Sequence, residues 1–217
     1  MGFGVLFIGY FLLLNVVNYT FTDMIAATVM AFGLAKLSFV NKSFKYATVF
    51  ALIFSAVGAL EFVSQALVML EILTEPFAFT YPIRTLSLFM TQCLIMRGIY
   101  EVAKEVELDR IAIKAKRSVP FICFTSLVSL YLDIPLFYSP LPQGVAPIIF
   151  TVNLLLTFAL IIYNLIIIYQ CYANICMPSE EKAHKKESLF DKFEKQQTEK
   201  NIEYLNYRKQ KRESKKK

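Results

Sequence analysis

The chain has 217 residues, 56% of them hydrophobic and 15% aromatic, with a mean hydropathy of +0.50. Charged residues make up 18%, where an ordinary soluble domain has about 25%. This balance excludes a soluble globule, a disordered chain, a disulfide-stapled miniprotein and a nucleic-acid-binding fold, and it points to an all-α, polytopic membrane helix bundle. Residues 178–217 hold 13 of the 23 basic and 8 of the 17 acidic residues, so +5 of the net +6 comes from them.

A membrane helix needs about 20 mainly apolar residues, and six segments approach that requirement. The first spans about 3–17 and the second 24–39, with Asp23 as its expected cap. The third spans about 46–73. The fourth covers 80–100 and the fifth 119–132, with Pro82 and Pro120 where a first turn tolerates proline. The sixth, 145–173, is the most apolar and has Pro147 near its start. Between the fourth and fifth, Ile99, Val102, Ala103, Val106 and Ile113 recur at helical spacing, which predicts one amphipathic cytoplasmic helix over 99–117. The second and fifth spans are short, roughly 24 Å and 21 Å against a hydrocarbon core near 30 Å. Four spans and a buried hairpin are the alternative.

The connections split by charge. Lys42, Lys45, Lys104, Arg110, Lys114, Lys116 and Arg117 flank the ends of spans two and four, while the connections 18–23, 74–79 and 133–144 contain no Lys or Arg. Basic residues mark cytoplasmic ends, so both termini are expected in the cytoplasm and every outside connection is short. Tyr10, Tyr46, Tyr81, Tyr138 and Tyr172 fall where an interfacial aromatic belt is expected. Lys outnumbers Arg 17 to 6 and Ile and Phe are abundant, a composition that suggests a bacterial plasma membrane.

No catalytic constellation can be assembled. The one histidine, His184, lies in the tail, and the four cysteines form no CxxC. No metal or cofactor motif occurs, so no cofactor is expected. The informative residues are ionisable or amide groups within the spans, because each is costly there. Glu61, Gln65, Gln92 and Arg97 form a candidate intramembrane polar site, with Glu61 expected to pair with Arg97, bond to Gln92, or stay protonated. Glu71 and Arg84 form a candidate pair nearer the outer interface, at matched depth on an antiparallel hairpin. Asn15, Asn153 and Asn164 are expected as hydrogen bonds between helices.

The tail, 178–217, has too few apolar residues for a domain and is expected to be disordered or marginally helical. Lys209, Lys211, Arg212, Lys215, Lys216 and Lys217 are candidate contacts for anionic phospholipid headgroups. Partners are therefore the lipid bilayer and a protein engaged through the tail, with no nucleic acid. Two functions follow. One is a non-enzymatic membrane sensor or scaffold working through the cytoplasmic helix and tail. The other is a small transporter or channel subunit with its polar site around Glu61, built as two inverted three-helix halves.

Overall fold

The computed structural model describes residues 2–14, 20–134 and 144–175. Asn15, Tyr138 and the whole basic tail, with Lys209, Lys211, Arg212, Lys215, Lys216 and Lys217, lie outside the described residues. Among those described there are six helices and no strand: α1 (Gly2–Leu12), α2 (Thr20–Leu37), α3 (Lys42–Met69), α4 (Thr80–Glu105), α5 (Asp109–Asp133) and α6 (Val145–Asn174). Two of them, over Lys42–Met69 and Pro147–Asn174, are long and apolar enough to cross a membrane, and only 39% of each apolar window is buried inside the protein.

The start of α3 follows from local chemistry. The side chain of Asn41 accepts from the Ser43 backbone N–H at 2.7 Å and satisfies one of the orphan donors of the first turn. Its other end overturns a sequence expectation: α3 stops at Met69, not near residue 73. Leu70 caps it, and Glu71 takes a left-handed φ of 58°. The Glu71 N–H then bonds to the Val68 carbonyl and the Ile72 N–H to the Leu67 carbonyl, each at 3.0 Å. That is the paired 5→2 and 6→1 closure of a Schellman motif.

The same device corrects the second expectation, a single amphipathic helix over 99–117. Glu107 also has φ 58°, its N–H bonds to Lys104 at 3.3 Å, and the Leu108 N–H bonds to Ala103 at 2.8 Å. The segment is therefore cut by a tight turn, with 99–105 ending α4 and 109–117 opening α5. The fifth helix is longer than its apolar span: its 25 residues extend about 37 Å, but its first part carries Asp109, Arg110, Lys114, Lys116 and Arg117. Pro120 lies in its interior, not its first turn, and withholds the backbone donor that the Lys116 carbonyl would accept. Asp23 sits inside the first turn of α2, so it is not the cap.

The helices pack in chain order, each against the next, and α6 closes the ring onto α1. The α1 and α2 backbones approach closely at two glycines. A Cβ on Gly33 would lie 2.6 Å from the Leu6 backbone nitrogen, and one on Gly9 would lie 2.6 Å from that of Met30. Backbone atoms cannot step aside as a flexible side chain can. The core beneath this crossing holds Leu6, Tyr10, Met30, Leu34 and Phe44, all with zero exposure. Phe3 and Phe44 meet edge to face at 6.0 Å.

Gly33→Ala should therefore lower stability by about 1–3 kcal/mol through overpacking. Gly58→Ala, whose new Cβ would meet Met24 at an ordinary 3.6 Å, should stay within about 0.5 kcal/mol of the parent. Thermal midpoints of the detergent-purified variants check both, and equal losses would show that close approach is not the constraint.

Candidate functional site

The polar groups gather at the two ends of the α3–α4 hairpin. At the end that holds the 70–79 connection, Arg84 enters from the first turns of α4 and donates through Nη1 to Glu61 Oε2 at 3.0 Å. The same nitrogen lies 3.6 Å from Asp23 Oδ2 on α2. The Glu61 side chain is 2% exposed, against 21% for Asp23 and 31% for Arg84. One guanidinium thus joins two carboxylates from two other helices. Thr85, beside Arg84, donates to Asp133 at the end of α5 and extends the polar layer to a fourth helix.

This arrangement replaces both expected pairings. Arg84 pairs with Glu61 and not with Glu71, which is exposed beyond the end of α3. The physical reason is the early Schellman closure. It removes Glu71 from the helix and leaves Glu61 eight residues from Met69, about 12 Å deep, within reach of a long side chain directed along the bundle from Arg84. Arg97 is 13 residues further along α4, about 20 Å away, and bonds through Nε to Glu101 Oε1 at 3.0 Å instead. Gln92 is buried and Gln65 half-buried.

Glu101 organises the opposite end. Its Oε2 accepts from Asn41 Nδ2 at 2.9 Å and from Ser43 Oγ at 3.1 Å, so the residue that caps α3 is also tied to α4. The hydrogen bond from Arg97, aided by those from Asn41 and Ser43 and opposed by partial desolvation, holds the Glu101 carboxyl below its ordinary pKa.

Between α5 and α6 runs a ladder at constant register: Lys114 to Gln170 at 3.1 Å, Ser118 to Asn164, and Asn153 to Ser129 at 2.8 Å. Asn164 also donates to the Tyr10 hydroxyl at 2.9 Å, which ties α6 to α1. Tyr10 has zero exposure and is therefore a core residue, not part of an interfacial belt. Sequence reasoning missed Asp23, Asn41, Glu101, Ser118 and Ser129 as partners. Arg84 offered one available signal, since it is the only basic residue between Lys45 and Arg97 and has acidic residues on both sides.

Among the described residues no group of three or more His, Cys, Asp or Glu is placed to hold a metal ion. Comparison with protein-family models, with curated proteins and with solved structures finds no match for this chain.

Removing Arg84 strands Glu61 in a dry site. Arg84→Met should cost about 3–5 kcal/mol, whereas Arg97→Met, at an exposed pair, should cost about 0–1 kcal/mol. Similar losses in chemical denaturation would sink the assignment of Arg84 as the counter-ion. For Glu101 the sign follows from its lowered pKa. Its contribution is complete above the ordinary carboxylate range and is lost as pH falls through the lowered value. Acidification should therefore lower the thermal midpoint of the parent more than that of Glu101→Gln.

Proposed function

We propose that the chain is a six-span integral membrane protein with both termini in the cytoplasm, acting without enzymatic chemistry as a membrane sensor or scaffold. The observation that carries this reading is the apolar mantle. Ile148 (64% exposed), Leu155 (65%), Phe121 (63%) and Leu127 (66%) turn outward along α5 and α6, while the polar groups between them turn inward. A monomeric soluble protein rarely presents so continuous an apolar surface, and a bilayer removes the need to hide it.

Charge supports the orientation. Lys42, Lys45, Lys104, Arg110 and Lys114 gather at the end of the bundle that holds Glu101, which is then the cytoplasmic end. The Asp23–Arg84–Glu61 cluster is then at the outer end. A bacterial plasma membrane fits the Lys-rich composition.

The transporter reading gains less. Inverted-repeat transporters hold substrate near the bilayer midplane, between their two halves. Here the Asp23–Arg84–Glu61 cluster, among the described residues, is held by α2, α3 and α4 near one end. The outer connections are short, so a signal would be read at that outer cluster and passed inward to the cytoplasmic segments and the tail. Lys209, Lys211, Arg212 and Lys215–Lys217 suit anionic headgroups or an acidic partner.

The test is co-purification in mild detergent of the full chain beside a version ending at Pro178, with bound proteins identified by mass spectrometry. A stoichiometric partner that is lost with the tail is the expected result. Absence of any partner from both samples would remove the scaffold reading.

A further inference from the structure

The first half of α5 carries two cations that the protein itself does not neutralise. Lys114 donates to Gln170 at 3.1 Å and Arg97 to Glu101 at 3.0 Å, whereas Lys116 and Arg117, both exposed, have no such partner among the described residues. Their own helix offers none, because no Asp or Glu occurs between Asp109 and Asp133. The neighbouring α6 has no acidic residue either. On α4, Glu101 is already taken by Arg97, Asn41 and Ser43.

Both cations stand where α5 changes character. One turn further on, the outward stripe continues with Pro120 and Phe121 and then with Phe124 and Leu127, all exposed. The apolar part of the helix is about 21 Å long against a hydrocarbon core near 30 Å, so the bilayer thins toward Lys116 and Arg117 or their side chains reach out of it. Helical side chains lean toward the N-terminus of their helix, which carries both cations toward the cytoplasmic headgroups. Pro120 adds an acceptor at the same level. It has no N–H for the Lys116 carbonyl, and a backbone acceptor at the hydrocarbon edge has to be satisfied from elsewhere.

We propose that the outward face of α5 binds one anionic phospholipid with a hydroxyl-bearing headgroup, of the phosphatidylglycerol class. Lys116 and Arg117 meet its phosphate, the Lys116 carbonyl accepts from a headgroup hydroxyl, and an acyl chain lies along Phe121, Phe124 and Leu127. A zwitterionic lipid leaves the two cations without a net counter-charge. An anionic lipid without hydroxyls leaves the carbonyl without a donor. The site rests on the membrane reading proposed above and is distinct from the basic cluster of the tail.

The experiment titrates the full-length detergent-purified protein with phosphatidylglycerol, phosphatidylcholine or phosphatidylmethanol, an anionic lipid without headgroup hydroxyls, and reads lipid bound per chain by native mass spectrometry. The tail is intact in every variant, so its contribution is common to all. Phosphatidylglycerol should bind in preference to phosphatidylcholine. Replacing both cations, Lys116→Gln with Arg117→Gln, should weaken it about thirtyfold, while Lys104→Gln, at the exposed end of α4, should leave it unchanged. The parent should bind phosphatidylmethanol about fivefold less tightly than phosphatidylglycerol. Pro120→Ala, which restores the helix donor and keeps both cations, should abolish that difference. Equal binding of phosphatidylglycerol and phosphatidylcholine by the parent would overturn the proposal, as would undiminished phosphatidylglycerol binding by the double variant. Alkaline carbonate extraction tests the membrane reading separately: a chain that stays in the membrane yet shows no lipid preference removes the lipid site alone.

Discussion

A carboxylate that is almost fully enclosed has to be met by positive charge or by donors, and Glu61 is the residue on which this requirement falls. Meeting it fixes three helices at once. Glu61 belongs to α3, Arg84 to α4, and Asp23, sharing the same guanidinium nitrogen, to α2. None of these helices can rotate or slide by a turn without separating charges in a dry environment. The neighbouring layer follows: Thr85, next to Arg84, reaches Asp133 on α5. Shape complementarity alone tolerates small shifts in register. A shared counter-ion does not.

Glu101 provides the second fixed point, at the far end of the same hairpin. It is chemically unlike the first. Its partner Arg97 is 69% exposed, so the ion pair is screened, and the neutral donors Asn41 and Ser43 tie Glu101 to the start of α3. The cap that starts α3 is thus held by the helix that packs against it. Between the two ends α2, α3 and α4 are joined by apolar packing and by small groups, such as the Thr28 and Ser55 hydroxyls at 2.9 Å. The molecule keeps its strong polar bonds at the ends of this unit and its lightest ones in the middle.

The helical class, the approximate position of each helix and the cost of Glu61 were legible in the sequence, because apolar runs and isolated charges are local signals. The helix ends at Met69 and Glu105 were not. Both are closed by Schellman motifs whose left-handed residue is a glutamate, Glu71 or Glu107, where glycine would have announced the stop. That concealed signal had consequences. Reading α3 on to residue 73 added about one turn to it, and the expected register put Glu71 opposite Arg84 and Glu61 opposite Arg97, 13 residues from the partner it has. Reading through Glu107 merged the end of α4 and the start of α5 into one helix. Asp23 was misjudged for a different reason: an acidic residue at a helix start satisfies the capping rules so well that a long-range role leaves no trace in the sequence. The α5–α6 ladder was half visible, through Asn153 and Asn164, while Ser118 and Ser129 are too common in type to stand out.

The closure of the ring has a bearing on how the chain is made. Tyr10 and Asn164 are separated by 154 residues, and their hydrogen bond joins the first helix to the last. Every other helix meets its neighbour soon after it is synthesised. By contrast, the α1 face that carries Tyr10 waits until nearly the whole bundle has emerged. Until α6 is in place, the Tyr10 hydroxyl lacks the partner it has in the folded protein. Asn164 thus carries a bond that spans nearly the whole bundle in sequence while joining neighbours in space.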